Sequence, residues 1–423
     1  MIAVCDLCST GKSHETPNLG FLYGLTLAFP EKKIVFFSDR SLWKNLQHNA
    51  NNNEIDVKNI GHHAITVKPH ATLLAYLWNL LLVPYIFFFF KKKEVTSVLF
   101  LATTPQQNYI IKFIGSCRLF SALRYASVLH GDLDNLAGTF IPGTLPTHQG
   151  PKKALWNRLF DEPTKIFIKA YRRVIYKLSE TIKRINKKIT PPISLKKSLL
   201  YKPSKNLTYI ALSHHITEAL PQYLDAPQLK FRSVPMPAVF APPLPATTNA
   251  YFKIAIFGYG NTPVLYALNK ALAQCKITNN YEIRIIGMDG QGTAEFPQVT
   301  QPLVGVLSRS EMESLLHDVD MFLILYEKNR YTLSCSGSII EAHSYGKPVL
   351  YLDNPCINFF NREDRPIGIC CENIETMAST FTEIVNNYDS FKTRLENFRH
   401  NIYVQREEID IKNHASFLKD ILG

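Results

Sequence analysis

Short, strongly apolar runs alternate with helix-length amphipathic stretches along most of the chain. IAV near the start, KKIVFFSD (32–39), VTSVLFLAT (95–103), ALRYASVLHG (122–131) and NLTYIALS (206–213) are rich in β-branched and aromatic residues. Such runs read as strands buried on both faces. Helix-length segments at 17–29, 72–90 and 105–120 lie between them. The pattern then repeats. FKIAIFGYG (252–260) precedes TPVLYALNKALAQ, and YEIRIIGMDG (281–290) is followed by VGVLSR (304–309), SEMESLLHDV and DMFLILYE. A helix at 337–345 leads to KPVLYLD (347–353), and the residues from Ile374 on read as helical. Strand–helix–strand alternation predicts parallel sheets with right-handed crossovers. The fold class is therefore α/β, with two Rossmann-like doubly wound domains.

The boundary shows as a change of composition. VPMPAVFAPPLPATTNA (234–250) contains five prolines, which remove backbone donors and fix φ. It reads as a linker between a first domain at 1–233 and a second at 251–405, with a C-terminal helix at 406–423 that could pack back on the first. Two domains also suit 423 residues, since a single core stops growing at roughly 250–300.

The stretch 69–90 holds no Asp, Glu, Lys or Arg and runs into Lys91-Lys92-Lys93. About twenty apolar residues suffice to span a bilayer. Spanning, however, would separate KKIVFFSD from VTSVLFLAT, and Asn79 and Pro84 interrupt the run. The reading is a core crossover helix that also exposes an apolar, Lys-flanked surface to lipid.

With 46% hydrophobic and 19% charged residues, the composition excludes intrinsic disorder. Eight cysteines and a start, MIAVCDLCSTGK, without the basic flank of a secretory signal point to a reducing cytoplasm. Cys5 and Cys8 form a CxxC with no second pair at zinc spacing, so they read as strand thiols and no metal site is expected. Charge is concentrated: residues 151–205 carry a net +13, against +4 before and −5 after. Within that segment YRRVIYKLSETIKRINKKI reads as a basic amphipathic helix, suited to an anionic membrane surface. A plain solvated helix is the second reading. Nucleic acid is the third, unsupported by any recognised module.

In doubly wound sheets ligands bind beyond the carboxyl ends of the strands, where loops meet helix N-termini. Four loops of the second half qualify. They hold Gly258, Gly260 and Asn261; Gly287; Val306, Leu307 and Ser308; and Ser336, Gly337 and Ser338 with Glu341 about one helical turn on. Glycines and small hydroxyls let backbone N–H groups approach phosphate, and a carboxylate one turn later can accept from a ribose diol. In the first half His130 and Asp132 follow a buried strand and suit proton transfer. The loop Gly11–Gly20, with His14, Glu15 and Asn18, faces the same edge, and Glu15 is a further candidate base. His214 and His215 read as packing and capping residues.

The order IAIFGYG, RIIGMDG, VGVLSRSEMESLLHDVDMFL and SGSIIEAHSYGKPVLYLD resembles the C-terminal domain of GT-B glycosyltransferases, above all the family 4-like ("group 1") bacterial enzymes. The match covers roughly 252–353 and is strongest at EAHSYGKPV. The resemblance implies two Rossmann-like domains facing a cleft. The nucleotide sugar would sit mainly on the second, with Glu341 on the ribose, Ser336–Ser338 on the diphosphate and Val306–Ser308 at the base. Departures are local. A second acidic residue of the family falls at Leu333, and its Arg and Lys fall near Tyr259 and Val264, leaving Lys328 and Arg330 as the available cations. The expectation is sugar transfer from a nucleotide diphosphate, which is substrate and not cofactor, to a saccharide or lipid-linked acceptor. No cofactor is expected and no metal-binding DxD is required. A role in envelope polysaccharide synthesis (lipopolysaccharide or capsule), peripheral on the inner face of the cell membrane, is implied. The alternatives are a nucleotide-sugar epimerase of the same fold and a basic nucleic-acid-binding protein.

Overall fold

The computed structural model describes residues 1–11, 13–68, 73–138, 193–202, 204–240, 249–257, 261–286, 299–303 and 309–423. Most of the basic segment, and residues 241–248 of the Pro-rich linker, lie outside the described residues.

The first half builds a parallel sheet from β1 (Ile2–Asp6), β2 (Ile34–Ser38), β3 (Ile60–Ala64), β4 (Ser97–Ala102), β5 (Arg124–Leu129), β6 (Leu207–Ala211) and β7 (Lys230–Ser233), in the order 3-2-1-4-5-6-7. Its helices are α1 (Glu15–Ala28), α2 (Arg40–Asn52), α3 (Leu73–Lys92), α4 (Pro105–Gly115), α5 (Asp134–Ala137), α6 (Leu195–Leu200) and α7 (His214–Ala219). A second parallel sheet follows: β8 (Phe252–Phe257), β9 (Tyr281–Ile286), β10 (Val299–Leu303), β11 (Met321–Ile324), β12 (Val349–Leu352) and β13 (Gly368–Cys371), in the order 10-9-8-11-12-13. Around it lie α8 (Thr262–Leu272), α9 (Arg309–Leu316), α10 (Gly337–Tyr345), α11 (Pro355–Asn358), α12 (Ile374–Asn386), α13 (Tyr388–Ile409) and α14 (Ala415–Leu422). The expected α/β architecture of two doubly wound sheets is present.

Burial explains the strands. Every residue of β1 and of β4 is buried, as their unbroken apolar runs require of a sheet covered on both faces. β3 was not legible because Gly61, His62 and His63 break the apolar pattern, which an edge strand tolerates. The stretch expected to be helical over 105–120 stops at Gly115 and resumes as a single tight turn over Arg118–Phe120. Its start is a capping box between Thr104 and Gln107.

α3 leads from β3 to β4, two strands of one sheet, and buries Leu82, Val83, Ile86, Phe87 and Phe90 against it. The opposite face is exposed at Leu74, Leu77, Leu81, Tyr85 and Phe88. Those positions are three or four residues apart and form one stripe. Among the described residues, this is the helix long and apolar enough to cross a membrane.

α13 runs unbroken through residue 405, where the sequence suggested an edge, and the chain turns at Asp410 instead. α14 then packs on the first half: Leu418 and Leu422 are fully buried, and Ser97 Oγ donates to the Leu422 carbonyl at 2.5 Å. α1 makes room for this return at Gly24, where a Cβ would lie 2.6 Å from Ile411.

Candidate functional site

Strand order reverses between β1 and β4 in the first sheet and between β8 and β11 in the second. Such switch points open crevices beyond the carboxyl ends of the strands. At the first, Asp6 ends β1 fully buried. Its Oδ1 accepts from the Cys8 and Ser9 N–H groups at 3.0 and 2.7 Å, and its Oδ2 from Asn18 Nδ2 at 2.7 Å. These bonds close the β1–α1 loop and fix where α1 begins. Cys5 is buried in β1 and the Cys8 thiol donates to Gln107, so both thiols are packed within the fold.

His14 occupies the N-cap of α1 in the left-handed region (φ 54°), an uncommon and strained place for a side chain of its size. Its ring stacks on His130 with centroids 4.4 Å apart and planes 25° from parallel, and Nδ1 lies 3.3 Å from Ser9 Oγ. His130 Nε2 is 2.7 Å from the Leu101 carbonyl. A carbonyl only accepts, so Nε2 carries the proton and Nδ1 holds the lone pair. Burial, reinforced by His14, pulls His130 down to about 3. The ring is therefore neutral at physiological pH and cannot serve there as a charged acid. Asp132, in the turn Gly131–Leu133, is half-buried; burial raises its carboxyl while His14 works in the opposite direction. Glu15 begins α1 beside His14. The three sequence-derived candidates, His130, Asp132 and Glu15, thus gather on one edge. The residue the sequence left outside the catalytic set is His14, although Ser13-His14-Glu15 directly follows the first strand's loop.

At the second switch point α10 is capped by Ser336. The expectation that Ser336 to Ser338 leave their N–H groups for phosphate is corrected in part. Ser336 is fully buried; its N–H donates to Cys356 Sγ at 3.4 Å, and its Oγ accepts from the Ser338 N–H at 3.2 Å and lies 2.8 Å from Tyr326 Oη. The Ser338 hydroxyl donates to the Phe257 carbonyl at 3.3 Å. Gly337 remains the exposed residue of the first turn, and a Cβ there would meet nothing within 4 Å. Glu341 is half-buried one turn further on. α10 ends at Gly346 in the left-handed conformation (φ 62°) that favours glycine.

The other candidates divide. Asn261 caps α8 through the Val264 N–H and donates to Glu327 Oε1 at 3.1 Å. Lys328 is 76% exposed and pairs with Asp353 at 2.8 Å, so its charge is already matched. Arg330 lies over the Tyr326 and Tyr331 rings at 5.4 and 5.3 Å. Leu333, where the resemblance would place a second acid, is fully buried among side chains of the first half. Gly258, Gly260, Gly287, Val306, Leu307 and Ser308 lie outside the described residues.

Two solved structures carry the same arrangement. A glycosyltransferase from Rickettsia africae ESF-5 superposes with a TM-score of 0.59 at 12% identity, over 100% of this chain and 97% of that one. The lipopolysaccharide outer core galactosyltransferase WaaB, in its apo form, gives 0.54 at 13%, over 99% of each chain. The fold is GT-B. No family model and no curated sequence matches the chain, and at 12–13% identity the likeness is one of fold. Within the GT-B plan, the switch points of the two sheets supply the imidazole–carboxylate edge and the α10 terminus described above.

Proposed function

We propose that this GT-B protein transfers a sugar from a nucleotide diphosphate donor held on its second half to a saccharide or lipid-linked acceptor on its first. The observation that carries the reading is the pairing of two unlike edges. One offers an exposed helix N-terminus at Gly337 with a carboxylate, Glu341, a turn away. The other offers stacked imidazoles and the raised carboxyl of Asp132. A helix N-terminus favours a departing diphosphate. An exposed imidazole at His14 can take the proton of an acceptor hydroxyl, while neutral His130 holds it in place through the stack. No step of this kind calls for a cofactor.

The test is turnover of UDP-, GDP-, ADP- and CMP-sugars, with and without a lipid-linked saccharide, followed by mass spectrometry. Acceptor-dependent transfer supports the reading; acceptor-independent conversion of the donor would instead indicate an epimerase. Glu341→Ala should weaken donor binding by about 1–3 kcal/mol, the scale of a lost charged hydrogen bond. Unchanged affinity would remove Glu341 from the ribose.

The proposed acceptor sets the location: the inner face of a cell membrane, in the making of envelope polysaccharide. Support comes from α3, whose outward stripe of Leu74, Leu77, Leu81, Tyr85 and Phe88 meets Lys91, Lys92 and Lys93 at one end. Apolar insertion beside cations suits an anionic leaflet. The protein should co-sediment with phosphatidylglycerol vesicles and not with phosphatidylcholine alone.

A further inference from the structure

The segment leading into α10 is held by the first half of the chain. Asp134, the first residue of α5, is buried, and its Oδ1 accepts from the Leu333 N–H at 2.7 Å while its Oδ2 accepts from the Ser334 hydroxyl. Leu333 itself inserts into the first half's core. Two residues earlier, Tyr331 stands in the left-handed region (φ 59°), and its carbonyl accepts from His215 Nε2 at 3.4 Å. Ser336 and Gly337 follow at once. The same Asp134 lies two residues past Asp132 and four past His130. A buried carboxylate taking two hydrogen bonds from one short segment fixes that segment far better than apolar contact alone.

We propose that Asp134 is a positioning residue for the donor. It acts through its bonds to Leu333 and Ser334: it clamps residues 333–334 to the histidine edge and so sets where the exposed N–H of Gly337 points. This rests on the donor reading above. Because binding energies are reciprocal, any coupling through this clamp between the nucleotide and a ligand seated beside His130 and Asp132 would act equally on both.

The experiment compares wild type, Asp134→Ala, Asp134→Asn and Ser334→Ala by titration calorimetry with UDP, GDP, ADP and CMP, and by hydrogen exchange of the nucleotide-free proteins. Asp134→Ala is expected to bind the preferred nucleotide at least tenfold more weakly and to exchange faster over 333–339. Asp134→Asn, which keeps an acceptor for the Leu333 N–H, should recover part of that loss, and Ser334→Ala should cost about threefold. If Asp134→Ala does not fold, the Asn and Ser334 variants carry the same comparison. Nucleotide affinity within twofold of wild type in the variants overturns the proposal. If wild type binds none of the four, the donor reading fails, and exchange over 333–339 alone decides whether the clamp exists: unchanged protection in the variants overturns it.

Discussion

The two halves share one plan, a parallel sheet covered by helices, but they spend their surfaces differently. Of the large apolar side chains left exposed among the described residues, all but Tyr266 belong to the first half. The helix termini at the facing edges differ as well. α1 opens with strained His14 and then an acid, Glu15, and its Asn18 donates to the buried carboxylate of Asp6. α10 opens with Ser336 and exposed Gly337 and has no acid in its first turn. A helix N-terminus attracts anions, and a carboxylate already placed there repels a second one. This contrast is what the proposed function draws on: it would place the diphosphate at α10, and proton chemistry and an amphiphilic acceptor on the first half.

The largest effect should come from the exposed face of α3. Replacing Leu81, Tyr85 and Phe88 together by Gln removes three apolar side chains worth about 1.5–3 kcal/mol each when buried. Vesicle binding should fall more than about 100-fold with thermal stability nearly unchanged, since all three are exposed. Equal vesicle binding would mean that this face is not what separates the halves. Next, His14→Ala should lower kcat by about 10²–10⁴-fold, the usual range for a lost general base, with donor affinity retained. Loss of nucleotide binding instead would place His14 on the donor side. Gly337→Asp puts an acid where α10 lacks one. Folding should gain about 0.3–1 kcal/mol from the helix dipole, while nucleotide affinity falls about tenfold or more. Equal affinity would take the phosphate away from α10.

The smallest effect concerns pH. Folded His130 protonates near 3, against an ordinary 6.5, so between those values the unfolded chain binds the extra proton. Stability is therefore present above about 6.5 and lost as pH falls toward 3, by about 1–3 kcal/mol once partial solvent access is allowed for. His130→Gln should show a shallower acid limb in urea denaturation. An identical limb would mean that the proton goes elsewhere; His62, His215 and His343 are also held low by burial.

Much of the fold was legible because short, mostly apolar runs such as IAVCD and SVLFLA, separated by helix-length segments, read as doubly covered strands. Edge strands were not: IGHHA and GICC carry polar or small residues that only their position in the sheet explains. For the site, sequence found HGD and SGS, where chemistry-bearing residues sit beside strand and helix signals. It missed how side chains are used. Nothing in SCSGS says that the first serine after Cys335 turns inward to cap its helix, or that Leu333 enters the other half's core. His14 stands apart through a backbone angle and a stack on a residue 116 positions away, and neither is local. Asp134 was present in HGDLD, but its partners lie about 200 residues on.

The central claim is that a nucleotide sugar binds at the start of α10. Hydrogen exchange measured with saturating UDP-, GDP-, ADP- or CMP-sugar tests it most directly, because a ligand that binds only the folded state both stabilises and protects its site. At least one donor should slow exchange over 333–345 and leave α12 and α13 unchanged. Protection confined to other segments, or none with any donor, would contradict the account.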